Sequence, residues 1–106
     1  MSFANEGEPT HNPENNLPLF SVGQVVGTPP ALEAIKLAGH DPLDYLLRHM
    51  TGDWGDLDEE DIQANKDAVA HGTRVFSAYN LPTKAKIWII TEWNRSSTTI
   101  LLPEEY

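Results

Sequence analysis

Residues 74–102 read RVFSAYNLPTKAKIWIITEWNRSSTTILL. Three runs in them, Arg74 to Asn80, Lys86 to Glu92 and Thr98 to Leu102, are rich in β-branched and aromatic side chains, the residues that fit a pleated, half-buried surface. The breaks between them, Leu81-Pro82-Thr83-Lys84 and Trp93-Asn94-Arg95-Ser96, are short enough for antiparallel hairpins. KIWII is apolar on both faces, which marks a central strand covered on both sides, or covered on one and capped by Trp88 on the other. These features predict a three-stranded antiparallel β-meander. Centring each hairpin on its break sets Arg74, Thr91 and Thr98 in one cross-strand row, with Glu92 and Ser97 on the opposite face at the same end of the sheet.

Upstream of the meander the apolar period changes from two residues to the helical 3.6. Thr28-Pro29, Asp41-Pro42 and Asp58 each read as a helix start, a capping oxygen placed before the first turn. Gly39, Gly52 and Gly72 read as the matching stops. The expected buried faces are Leu32 and Ile35, then Leu43, Leu46, Leu47 and Met50, then a narrow stripe of Ile62 and Val69. Two to three N-terminal helices followed by a β-meander make an α+β fold. Residues 19–26, LFSVGQVV, are short and β-compatible, though Gly23 weakens them; they add a fourth strand or lie across the core as an arm. Residues 1–18 carry Phe3 as the only large apolar side chain before Leu17, and are expected to be a disordered leader to a single α+β domain over 19–106.

Composition narrows the function. The chain of 106 residues has no cysteine, which excludes disulfides, thiolate metal sites and Cys nucleophiles. Its longest strictly apolar run, Ile87 to Ile90, falls far short of the ~20 residues of a membrane span. No basic-then-apolar leader opens the sequence, so the expected compartment is the cytoplasm. The net charge is −9, and Asp53, Asp56, Asp58, Glu59, Glu60 and Asp61 crowd residues 53–61 with no base among them. Such a field repels a phosphate backbone and suits a partner with a basic surface, so direct nucleic-acid binding is not expected. The run GDWGDLDEED is no calcium loop: from Asp53, positions three, five and twelve are Gly55, Leu57 and Ala64. No dinucleotide, P-loop or nucleophile-elbow motif is present, and neither a metal nor a cofactor is expected.

Several of these stretches together resemble one group of proteins. TPPALEAIKLAG, PLDYLLRHMTGDWGDLDEED, RVFSAYN and KIWIITEWNRSSTTILLPEEY are similar to small accessory proteins of plasmids, integrated conjugative elements and phages, often labelled type I restriction endonuclease subunit M. The resemblance covers about residues 25–106 and includes Arg48-His49, Gly52 to Gly55, Trp88 to Glu92, Arg95 and Thr98-Thr99. It implies a role in a mobile element and brings no activity with it. A modification subunit needs a Gly-rich methyl-donor turn and an Asn/Asp-Pro-Pro-aromatic motif; the one Pro-Pro here follows Thr28.

Three functions fit the residues. The first is a protein-interaction module that meets a basic partner through Asp53, Asp56, Asp58, Glu59, Glu60 and Asp61. The alternative is a small metal-independent ribonuclease-like hydrolase, with Glu92, Arg95, Arg74 and His71 as base, acid and phosphorane-stabilising groups on a barnase-like sheet rim. The third is a structural or regulatory subunit with no independent activity, for instance a homodimer with Tyr106 and Ile100 to Leu102 at its interface. The histidines read more simply: His49 and His71, each in the last turn of a helix, suit a cation at a helix C-terminus.

Overall fold

The computed structural model describes residues 17–106. Most of the expected leader, residues 1–16, lies outside the described residues. Strand β1 (Gln24–Gly27) leads into helices α1 (Pro29–Leu37), α2 (Pro42–Thr51) and α3 (Glu59–His71). Strands β2 (Val75–Asn80), β3 (Lys86–Thr91) and β4 (Ser97–Leu101) follow, and a 3-10 turn spans Pro103–Glu105. The fold is α+β. The sheet order is β1-β4-β3-β2.

Two expectations about the sheet are corrected. It has four strands, not three, and it is mixed: β2, β3 and β4 form the antiparallel meander, while β1 pairs parallel to β4 with Val25 opposite Thr98. The 19–26 segment therefore supplies a strand, but only from Gln24 onward. Gly23, which seemed to weaken that segment, is what lets it dock. It has φ +61°, and a Cβ there would sit 2.4 Å from the carbonyl oxygens of Arg95 and Ser96. The second correction is one residue of register. Val75, not Arg74, stands opposite Thr91, because Lys84 adopts φ +76° and lengthens the first hairpin loop to a Leu81–Ala85 closure. A one-residue slip exchanges faces, so Arg74 lies on the side of the sheet away from Thr91 and Thr98. The second hairpin has the expected register, Thr91 opposite Thr98.

The helix ends follow the sequence signals. Thr28 accepts from the Ala31 N–H at 3.2 Å, Asp41 from Leu43 at 2.9 Å and Asp58 from Asp61 at 2.8 Å. Gly52 and Gly72 close α2 and α3 in the left-handed region. The buried faces differ from the apolar reading. Helix α1 buries Ala31 and Ile35, while Leu32 is partly exposed; α2 buries Tyr45 and His49, while Leu43 and Leu47 are about half exposed. In α3 the buried residues are Asn65 and Ala68. Polar side chains go inward in α2 and α3 because partners wait there: the Tyr45 hydroxyl meets His40 Nδ1 at 2.5 Å, and Asn65 and His49 bond strand groups described below.

The helices cover one sheet face. Ala31, Ile35, Tyr45, Tyr79, Ile87, Ile89 and Ile100 form the main core there, and Trp54, Ala68 and Val75 form a smaller one. On the other face Phe76, Trp88 and Ile90 line a cleft with Tyr106, which the chain reaches by turning back after Leu102. Glu105 Oε1 fixes that return by accepting from the Thr28 hydroxyl and the Leu102 N–H, both at 2.8 Å. Among the described residues, no helix is long and apolar enough to cross a membrane.

Candidate functional site

The six clustered acids do not share one environment. Asp53 receives Arg48 Nε at 2.7 Å, the one ion pair among the described residues. That bond holds the Asp53 carboxyl below its usual range and raises the Arg48 guanidinium. Arg48 also lies 4.6 Å over the Tyr79 ring. Asp56 accepts from the Asn80 amide at 2.8 Å. Both acids line a polar recess of about 410 Å³ with Arg48, Gly55, Tyr79 and Asn80. Asp58 is occupied as the cap of α3. Glu59, Glu60 and Asp61 stand exposed in its first turn, where the helix dipole favours a negative charge and no cation lies within ion-pair distance among the described residues.

The residues expected on the sheet rim are distributed over separate structural tasks. Arg95 has φ +61°, an unfavourable region for a side chain with a Cβ, and its guanidinium donates only to backbone. Nη1 reaches the Thr73 carbonyl at 2.5 Å and that of Glu92 at 3.1 Å, and Nη2 reaches the Ala68 carbonyl of α3 at 2.9 Å. It thereby caps the end of α3 and ties it to the second hairpin. Arg74, on the outer face, donates to the Tyr106 hydroxyl and lies 5.5 Å over that ring. His71 is exposed at the end of α3, and Glu92 closes the second hairpin through its backbone N–H to Ser97. Of the four, Arg95 has its donors on backbone carbonyls and Arg74 is turned to Tyr106. Of the residues expected at a dimer interface, Ile100 and Leu101 are buried inside their own chain, Leu102 is partly buried and Tyr106 is exposed.

One polar arrangement escaped the sequence reading. His49 is fully buried, and is not the exposed cation expected at the end of α2. Its Nδ1 meets Ser77 Oγ at 2.5 Å and its Nε2 meets Thr91 Oγ1 at 2.9 Å. Thr91 Oγ1 then meets Thr98 Oγ1 at 2.7 Å, and Thr98 donates to the Val22 carbonyl at 2.7 Å. Each hydroxyl owns one proton, so the terminal carbonyl orients the whole chain. Thr98 gives its proton to Val22, Thr91 gives to Thr98, and His49 Nε2–H gives to Thr91. That order makes Nε2 a donor; burial keeps the ring neutral, and Nδ1 then accepts from Ser77. Burial, with a smaller contribution from the Arg95 charge, lowers the His49 pKa to about 4. Phe20 packs edge-on against the ring at 5.2 Å, and the Trp54 indole donates to the His49 carbonyl at 3.1 Å. Helical spacing places position 49 beside Tyr45, and the alternation of β2 and β3 places Ser77 and Thr91 inward. Those were the available signals, masked by the polar character of all three.

A second cleft, of about 260 Å³, opens on the outer sheet face. It is lined by Asp61, Arg74, Phe76, Trp88, Ile90 and Tyr106. Phe76 and Trp88 stand nearly perpendicular at 5.0 Å between centroids, and Trp88 meets Tyr106 at 5.7 Å. Among the described residues no group of three or more His, Cys, Asp or Glu side chains is placed to hold a metal ion. No protein-family model matches the chain, and no curated protein and no solved structure matches it.

Proposed function

We propose that the chain is a protein-interaction module of a mobile element, and that it meets a partner with a basic surface through the start of α3. The observation that carries this reading is the first turn itself. Glu59, Glu60 and Asp61 are exposed and unpaired among the described residues, although one capping carboxylate, Asp58, already satisfies the helix end. Three further acids there exceed what the fold needs, and they project a field that steers a cationic partner. Asp53 and Asp56 extend the same negative shoulder around the polar recess. The enzyme alternative has weaker support, since the donors of Arg95 are held by carbonyls and Arg74 faces away from Thr91 and Thr98.

The test compares the full chain with the triple variant Glu59→Lys, Glu60→Lys, Asp61→Lys, which leaves the Asp58 cap in place. Both are immobilised and exposed to host lysate at low salt, and retained proteins are quantified. A basic protein held by the parent, released as salt rises and lost from the variant at equal helix content supports the reading. Equal retention by both chains defeats it.

A further inference from the structure

The outer cleft holds a combination that the fold does not use. Asp61 and Arg74 both line it, yet they form no ion pair with each other. Between them lie three aromatic rings and the nearly buried Ile90. Arg74 is fixed by its contact with the Tyr106 ring and hydroxyl, and Asp61 by its place in the first turn of α3. An acceptor-only group and a donor-only group therefore face one aromatic corner from separate elements.

The shape and chemistry constrain the occupant. Two near-perpendicular ring walls suit a flat ring, which stacks on one wall and presents its edge to the other, the arrangement aromatic pairs prefer. A second cation is disfavoured because Arg74 already lies over Tyr106. A purely apolar ring would make no use of the Asp61 carboxylate, which has no ion-pair partner among the described residues, nor of the Arg74 donors not turned to Tyr106. A ligand that donates along one edge and accepts along another satisfies both. Among nucleobases, guanine offers two adjacent donors, N1–H and the N2 amine, matched to the two oxygens of one carboxylate. It also offers O6 and N7 as acceptors for a guanidinium. Adenine has one exocyclic amine and no adjacent ring N–H. The neighbouring Glu59 and Glu60 oppose a phosphate.

The geometry points to a binding site for an uncharged guanine compound, the free base or its nucleoside, in the cleft between Asp61 and Arg74. Asp61 accepts from the N1–H and N2 amine edge, Arg74 donates to the O6 and N7 edge, and the aromatic walls hold the ring plane. Asp61 also belongs to the acids assigned to a protein partner, so the site is read at Trp88 with no protein partner present.

The experiment titrates the full chain with guanosine and follows the Trp88 indole N–H by nuclear magnetic resonance. Trp54 and Trp93 serve as internal references, since neither lines the cleft. The expected result is a saturable shift at Trp88, a weaker response to adenosine, and a weaker response to guanosine monophosphate. Asp61→Asn, an exposed change that keeps the fold, weakens guanosine binding roughly tenfold or more, the usual discrimination of a bidentate base contact. No saturable shift at Trp88 up to the solubility of guanosine overturns the site. Equal binding of adenosine, or binding unaffected by Asp61→Asn, overturns the assigned edge contacts. Tighter binding of the monophosphate or of a guanine-containing strand overturns the choice of an uncharged ligand.

Discussion

Acidification should destabilise this fold through His49. In the unfolded chain a histidine takes up its proton near pH 6.5. In the fold, burial holds His49 neutral until about pH 4. Between those values the unfolded state binds one more proton than the native state, so stability falls as pH falls and levels off below the native pKa. The interval of about 2.5 units corresponds to about 3 kcal/mol. That is a large share of the 5–15 kcal/mol typical of a domain. Burial is the main reason the native state resists the proton, and the Ser77 contact adds to it. A charged ring would have to donate from Nδ1, which forces Ser77 to turn its hydroxyl away from a contact of 2.5 Å. The assay is urea unfolding at intervals from pH 7 to pH 4, read by tryptophan fluorescence, for the parent and His49→Gln. Glutamine does not titrate, so the parent should lose about 3 kcal/mol more than the variant over that range. Other groups contribute equally to both curves. A stability difference that stays constant across the range would refute the argument, as would a His49 imidazole that titrates near pH 6.5.

Two further outcomes are expected. Arg95→Ala removes donors to Ala68, Thr73 and Glu92 carbonyls and should cost about 2 kcal/mol, whereas Arg95→Gly should cost about 1 kcal/mol less than Arg95→Ala because glycine adopts φ +61° freely; thermal unfolding of both variants checks the order. Asn65→Ala leaves the N–H and carbonyl of Phe76 without their side-chain partners and should cost about 1–3 kcal/mol, with faster amide exchange at Phe76 than at Ala78, whose partners are the Trp54 and Asp56 backbone.

The local signals in this sequence were strong where one residue determines one backbone geometry. Thr28, Asp41 and Asp58 marked the helix starts because each offers an oxygen to an otherwise unpaired N–H. The meander was legible because KIWII has no polar face. The parallel strand β1 was not legible, since its partner lies some 73 positions away and nothing in QVVG specifies direction. Register failed by one residue at Lys84, a non-glycine residue in the left-handed region that carries no compositional mark. The site was read least well where polarity was taken as exposure. His49, Asn65, Ser77, Thr91 and Thr98 are all buried, each satisfied by a partner far along the chain. Burial of a polar residue depends on that partner, and a linear pattern does not contain it. The clustered acids were visible as charge, but their division between a recess, a cap and an exposed turn required the fold.

The pairing of β1 with β4 also dictates an order of events during synthesis. Residues 24–27 leave the ribosome long before residues 97–101 exist, so the first strand made has no ladder to join until the last one emerges. The three intervening helices are likewise produced ahead of the sheet they cover. The meander is local and can close on its own hairpins, while β1 must wait for a contact of high sequence separation. Closure of the sheet is therefore the late step of assembly, and Thr98 is where it registers. Until that residue arrives, the Val22 carbonyl has no hydroxyl to accept from, and the proton order that makes His49 Nε2 a donor has no fixed end.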